Sequence, residues 1–430
     1  DLCFTVRSLK YDVIYQPNAR IIHFGGASAG KETNSGYKRY QDINRHKFVE
    51  KWGSVLAEDH FSSSDNQALS REKNNSNKHV LVIDHYVPRF DQDSGSARML
   101  GILKILLGMG YRVYFWPGDL AYEFKYTRTL QDLGIETFYG EWKFDTFIKE
   151  YGGLLDAVIL SRPSTALKYL HMVKEYSNAK TIYDTVDLHY VREQRRGELE
   201  SRKWKNLEFF LANETDATLV VSPTEKTLLS EEEFGKKVSI VSNVHSLEPC
   251  LNGFEDRKDL MFIGGFDHAP NEEGIIWFID HILPIIAKTI PDIHITVVGS
   301  QPTERLLSLS NHQVTVAGYV EDVSENFNSS RVFVAPLLYG AGVKGKIGQS
   351  FSYGLPVVTT SIGAEGMDLT DGHNALIADT EVEFSNKVIE LYTEKALWQK
   401  ISTNCRQVIK DQFSAETIQR SLEHVLKKDN

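Results

Sequence analysis

Residues 340–360 read GAGVKGKIGQSFSYGLPVVTT, and the fold turns on whether this stretch is a nucleotide-triphosphate loop. The Walker pattern asks for Gly, four residues, then Gly-Lys followed by a hydroxyl residue that holds magnesium. Gly340, Gly345 and Lys346 comply, but Ile347 stands where the hydroxyl belongs. The apolar run before it, VFVAPL at 332–337, is the fourth of its series rather than the first, which also argues against an NTPase. What remains is a strand, a glycine-rich turn from Tyr339 to Lys344, a short helix to Tyr353 and a further strand, LPVVTT. Gly340 and Gly342 then lie at a strand's carboxyl end, just before a helix amino terminus. Bare backbone and unpaired N–H groups there favour a phosphate, and Lys346 adds charge in the first turn. A diphosphate is the natural guest.

Working outward, the same alternation of apolar runs and helical patterns fills residues 79 to about 410. HVLVIDH, RVYFW, DAVILS, TIYDTVD, ATLVVS and VSIVS form a first series. DLMFIGGF, IHITVVGS, VTVAGYV, VFVAPL, LPVVTT and ALIAD form a second. Runs that are apolar throughout suit strands buried on both faces, with helical crossovers between parallel neighbours. The expectation is an α/β protein of two tandem Rossmann-like domains, 79–250 and 251–413, whose strand ends face one cleft. A helix over 414–430 is left without a strand. Residues 61–78 are rich in Ser and Asn and read as a solvated linker, with something separate over 1–60. Neither VIDHYVP nor FIGGFDHAP supplies the GxGxxG of a dinucleotide dehydrogenase.

Composition narrows the function further. A formal net charge of −10 over 430 residues argues against a nucleic-acid-binding face. Cys3, Cys250 and Cys405 are far apart and lack any CxxC spacing, so neither a disulfide framework nor a zinc site is indicated, and a reducing compartment fits. The longest apolar run, IIWFIDHILPIIAKTI at 275–290, contains Asp280, His281 and Lys288 and reads as a helix buried in protein rather than a membrane span.

With GGFDHAPNEEG at 264–274, GYVED at 318–322, the run from 335 to 360 and IGAEGM at 362–367, the carboxyl half resembles the group 1 glycosyltransferases, family 4-like retaining enzymes of the GT-B fold. DSGSARM at 93–99 and YDTVDLHYVREQRR at 183–196 extend the resemblance into the amino half. It implies an enzyme that moves a sugar from a nucleotide-sugar donor to a glycan or lipid-linked acceptor, without metal or cofactor. The donor would lie against Gly265, Asn271, Gly340, Ala341, Gly342, Val343, Lys344, Lys346, Gln349 and Glu365. His189, Asp187 and Lys346 would serve catalysis, and Ser94, Gly95, Ser96 and Arg192 the acceptor or phosphate loop. Plain structural roles compete: Ser94 or Ser96 as a helix cap, His189 as a packed side chain, Glu365 as a turn cap.

Two departures from the family pattern matter. Its acidic pair eight residues apart reads Ala341 and Gln349 here, and Phe266, Asn271 and Glu272 occupy positions where members carry Arg and Lys. A catalytically degenerate binding or scaffolding protein is therefore the rival reading, with a sugar-nucleotide epimerase of the same fold a weaker one. The family's final helix crosses back onto the first domain, which would give 414–430 its place. Residues 1–53 resemble the tail of a family 2 glycosyltransferase of the GT-A fold, with His23 a vestigial metal-associated position and the intact protein a two-enzyme fusion. The resemblance implies a cytoplasmic protein, with peripheral association at the inner face of a membrane.

Overall fold

The computed structural model describes residues 1–11, 13, 21–22, 40–60, 78–195, 200–230, 237–340 and 342–427. The expected linker, Lys78 apart, lies outside these residues, as do His23 and Ala341. The chain divides into two compact units, Asp1–Asn77 and Lys78–Asn430. In the first, helices Leu2–Ser8 and Tyr40–Asp59 are joined through Phe4, whose ring lies 5.0 Å from Phe48 and 5.5 Å from Trp52. The Asp1 carboxylate accepts from Lys51 and from the Trp52 indole, both at 2.9 Å.

The second unit holds two parallel sheets, as the alternating pattern predicts. The first comprises β1 (His79–Asp84), β2 (Arg112–Pro117), β3 (Glu136–Thr137), β4 (Ala157–Ser161), β5 (Lys180–Asp184), β6 (Ala217–Val220) and β7 (Val238–Ile240), in the order β3-β2-β1-β4-β5-β6-β7. The second comprises β8 (Lys258–Ile263), β9 (Ile295–Val298), β10 (Val314–Gly318), β11 (Ser330–Ala335), β12 (Val357–Thr359) and β13 (Leu376–Ile377), in the order β10-β9-β8-β11-β12-β13. Each sheet reverses direction of growth once, between β1 and β4 and between β8 and β11, and the crevice at such a point is where ligands of open α/β sheets bind. Strand β3 is not foreseen by the sequence reading: only two residues pair, at the sheet's edge.

The central strands are sealed on both faces; Val80 to Ile83, Leu260 to Phe262 and Val332 to Ala335 have no accessible surface. The run at 275–290 is helical, but it buries only one face, with Asp280, His281, Pro284, Lys288 and Thr289 exposed on the other, and it is not one regular helix. Ala269–Trp277 passes through a π-helical turn, Phe278–Ile282, into Leu283–Thr289. Pro284 has no N–H to give the turn before it, and the wider turn absorbs that loss. Helix Ala415–Leu426 places Ile418, Leu422, Val425 and Leu426 in the first domain's core, among residues such as Leu103, Leu106 and Val241.

Two buried arginines fix the frame. Arg98 reaches Asp184 with both terminal nitrogens, at 2.9 and 2.8 Å, and the Val241 carbonyl at 2.8 Å. Arg257 donates to the carbonyls of Asn252, Ser330 and Tyr353 at 2.9, 3.2 and 3.1 Å. Asp184→Asn would leave the Arg98 guanidinium buried beside an uncharged partner. It is expected to destabilise the second unit by about 3–5 kcal/mol, read as a lower urea midpoint.

Candidate functional site: a cleft between two sheets

All strands of a sheet run the same way, so their carboxyl ends share one edge, and the two edges meet across a seam of glycines. A methyl group added to Gly345 would stand 2.6 Å from Ser94 Cβ, and one on Gly366 3.2 Å from Ser222 Cβ. One on Gly342 would lie 3.4 Å from Asp187 Cβ. Gly342 and Gly366 also have φ of 69° and 76°, the left-handed region that side chains resist. Small residues here let the domains approach, and the amino termini of helices Ser94–Gly108 and Gly345–Ser352 meet where they do.

On the second domain's side, Lys346 lies in the first turn of helix Gly345–Ser352, with Gln349 on the next turn. Its ammonium stands over the Phe262 ring at 4.5 Å and donates to the Asn271 side-chain carbonyl. Asn271 in turn donates to Gly265 O at 2.7 Å, and a methyl group on Gly264 would be 2.9 Å from Lys346 Nζ. Among the described residues no carboxylate pairs with Lys346. Burial, and then the neighbouring charge of Lys344, push its pKa down to about 7, so the full positive charge expected from sequence is half lost near neutrality. Lys344 caps the helix and donates to Gly342 O at 2.7 Å. The positions without the family's basic residues are occupied otherwise. Phe266 is in the core, and Glu272 accepts a hydrogen bond from Thr303.

On the first domain's side, Asp93 caps its helix: its carboxylate accepts from Ser96 N at 2.8 Å and Ser96 Oγ at 2.6 Å. Ser96 is buried in that cap, so it contributes to holding the turn, whereas Ser94 faces Gly345 and a methyl group on Gly95 would lie 3.0 Å from Arg162 Nη2. Asp187 pairs with Arg192 at 2.7 Å and touches Gly342. His189 Nδ1 lies 3.1 Å from the Asp187 carbonyl, which can only accept, so Nδ1 carries the proton and Nε2 is left as an acceptor. Burial lowers the pKa of this imidazole, and Trp204 lies 5.2 Å from it. Val343 backs onto the core beneath the glycine turn, and Glu365 lines a narrow crevice with Gly342, Ser222 and Glu225.

Four polar residues of this cleft are absent from the sequence reading. Arg162, at the end of β4, bonds Asp84 at the end of β1 at 3.0 Å, spanning the first sheet's switch point. Its φ of 69° is strained for a residue with a side chain. A charged residue directly after an apolar parallel strand was the signal available. His268, held below its usual pKa by burial and by the charges of Lys346 and Arg192, stands between the domains. Glu208 accepts from the His189 and Tyr190 amides at 2.8 and 3.1 Å; Glu225 accepts from Leu188 and Val221 at 3.3 and 3.1 Å. Burial raises their carboxyls to about 8 and about 7.

Residues 257–394 match the family model described as glycosyl transferases group 1, and they form a group 1 glycosyltransferase domain. A Klebsiella pneumoniae protein, described as an uncharacterized 44.6 kDa protein in the cps region, is 26% identical over 189 residues, 40% of this chain and 49% of its own. The match therefore spans about half the length of that relative. Among solved structures, sucrose-phosphate synthase of Thermosynechococcus elongatus superposes with a TM-score of 0.63 at 14% identity, over 81% of this chain and 98% of its own. Anabaena HepE, solved with UDP and glucose, gives 0.62 at 14%, over 81% and 98%. An S. aureus TarM variant, solved with fondaparinux, alpha-GlcNAc-glycerol and UDP, gives 0.66 at 9%, over 82% and 100%. The fold of the second unit is thus that of GT-B glycosyltransferases. No helix of the described residues is long and apolar enough to cross a membrane.

The Lys346 geometry predicts a pH dependence. A bound diphosphate favours the protonated amine, so binding above pH 7 draws in a proton and weakens as pH rises. Nucleoside diphosphate affinity is expected to fall between pH 7.5 and 9.5 by up to about tenfold per unit, and Lys346→Gln to flatten the profile in calorimetric titrations. Gly345→Val should separate the domains, lowering affinity and raising the radius of gyration in X-ray scattering.

Proposed function

We propose that the second unit is a retaining glycosyltransferase that takes a sugar from a nucleotide-sugar donor and attaches it to a glycan or lipid-linked glycan during surface polysaccharide synthesis. The observation that carries this reading is Lys346: a cation with an amide partner and no carboxylate among the described residues, beside bare Gly264–Gly265 backbone at a helix amino terminus. Such an arrangement stabilises the negative charge that builds as a nucleoside diphosphate departs, and does so without a metal. In this reading the bond from the anomeric carbon to phosphate breaks, the bond to the acceptor oxygen forms on the same face, and the acceptor proton passes to the departing phosphate. His189 Nε2 accepts from a donor-sugar hydroxyl, and Arg192, its charge already offset by Asp187 and Glu193, lines the acceptor or phosphate side as a hydrogen-bond donor. Gln349 replaces a carboxylate at the ribose with a neutral hydrogen-bonding group.

UDP heads the list of donor nucleotides because the HepE and TarM structures were solved with it. Residues 1–60 are proposed as the tail of a GT-A domain, and the protein as acting in the cytoplasm at the membrane's inner face. One feature favours a second reading. The family's acidic pair is Ala341 and Gln349 here, which suits a nucleotide-sugar-binding or scaffolding protein without turnover.

A thermal-shift panel of UDP, GDP, dTDP, ADP and ATP, with and without magnesium, tests the site. At 100 times its dissociation constant the matching nucleoside diphosphate stabilises by about 2.7 kcal/mol. The expected outcome is a metal-independent shift with one nucleotide, abolished in Lys346→Ala and only weakened in Lys344→Ala. No shift with any of the five refutes the transferase. A shift without sugar transfer supports the binding protein.

A further inference from the structure

We propose that the first domain carries an aromatic platform, built on the loops after β2 and β3, that holds the sugar rings of the acceptor chain; this rests on the transferase reading. Tyr122, Phe124, Tyr139 and Trp142 are 49, 74, 41 and 44% exposed, unusual for four large aromatic residues within 21 positions. Tyr122, Tyr139 and Trp142 belong to two loops that the backbone locks together, and Phe124 opens the helix Phe124–Asp132 that follows the first. Gly140 N–H donates to Leu120 O at 2.9 Å, and Phe138 N–H to Phe115 O at 3.1 Å. Leu120 and Gly140 both have positive φ, 52° and 79°, and for Leu120 that is strain of the kind kept where a conformation is needed.

Beneath the loops lies a rigid base. Phe138 packs on Trp116 at 5.2 Å and on Phe147 at 4.6 Å. Of the exposed rings, Trp142 stands on this base, edge-on to Phe138 at 5.1 Å, while Tyr122 and Tyr139 tilt against each other across the two loops at 4.9 Å. Preformed aromatic faces with hydroxyl groups alongside suit sugar rings, whose C–H faces stack on aromatic carbon while their hydroxyls find polar partners. Exposed Asp119, Glu141 and Asp145 stand around the rings together with exposed Lys125, Lys143 and Lys168, whose ammonium reaches Gly118 O at 3.2 Å. Carboxylates and ammonium groups side by side supply both acceptors and donors for sugar hydroxyls.

The platform is continuous with the cleft. It sits on the carboxyl-end edge of the same sheet, and Gly118 N–H and Asp119 N–H donate to Asp84 O and His85 O, at 2.7 and 3.2 Å. Glu123 pairs with Arg89 at 2.9 Å; Arg89 covers Tyr86, and the Tyr86 hydroxyl donates to Asp93 at 3.0 Å, the cap beside Ser94. A saccharide lying on Trp142 and Tyr139 can therefore extend its growing end toward Ser94 and the donor.

The test is a microarray of bacterial surface polysaccharides and defined oligosaccharides probed with the full chain, its Tyr139→Ala/Trp142→Ala variant and the Tyr139→Phe/Trp142→Phe variant. Circular dichroism confirms that each is folded. Binding of the parent to one or more saccharides, weakened at least tenfold by the alanine pair and largely kept by the phenylalanine pair, is the expected result. Absence of saccharide binding by the parent, or binding unchanged in the alanine pair, overturns the platform. So does vesicle co-sedimentation on phosphatidylglycerol membranes that the alanine pair abolishes while no glycan binds. The nucleotide panel separates the failures. A nucleotide shift without glycan binding leaves the transferase and removes the platform, whereas glycan binding without any nucleotide shift leaves a sugar-binding surface and removes the transferase.

Discussion

The buried pair of Arg98 and Asp184 is the constraint on which the cleft depends. Arg98 belongs to the helix that begins at Ser94, Asp184 ends β5, and Val241, which accepts from the same guanidinium, lies where the chain leaves the first domain. One side chain thereby fixes the turn facing Gly345, the strand that leads into Asp187 and His189, and the exit toward the second domain. Ser161, at the end of β4, adds a hydroxyl to the same carboxylate at 3.0 Å. Desolvating two charges is costly, and such pairs contribute orientation more surely than stability. Here the orientation is that of the ends of β4, β5 and β7 relative to the helix that begins at Ser94.

Electrostatic balance in the cleft follows from which partners are present. On the first domain's side the cations are neutralised: Arg162 by Asp84 and Arg192 by Asp187. Across the seam Lys346 has an amide and the Phe262 ring but, among the described residues, no carboxylate, and its charge is held down by burial and by Lys344. An anion entering the cleft thus restores to Lys346 a proton it half lacks, while disturbing little opposite. A chain with a net charge of −10 attracts such a ligand through this local arrangement and not through its overall field.

Much of this was legible in the sequence, and the limits have physical causes. Fully apolar strands announce themselves because both faces are buried, so among the described residues twelve of thirteen strands coincide with the runs read as such, with β2, β5, β8 and β11 reaching one or two residues beyond them. β3 escapes because two residues at an edge need no hydrophobic pattern. Gly340, Gly342 and Lys346 were readable because their chemistry is local to one turn. Glu208 and Glu225 were not: each reaches the His189 loop from a helix 19 or 37 residues further on, and nothing along the chain marks that return. Nor does the sequence reveal that Asp93, not Ser94 or Ser96, caps its helix, since all three residue types can do so.

The glycine seam ties specificity of fold to function. At Gly345 and Gly366 a single methyl group would press on Ser94 and Ser222 of the opposing domain, whereas at Gly342 it would reach ordinary contact with Asp187 and the positive φ is what favours glycine. The seam is narrow because those positions are bare, and narrowness excludes water and strengthens each charge within it. The domains are joined by one passage near His245, whose ring is buried, neutral and packed against Gly348 and Phe413, and by the helix Ala415–Leu426. Helix Gly345–Ser352 both presents Lys346 and packs on His245 through Gly348, so the element proposed to bind the anion is the one that bears on the crossing.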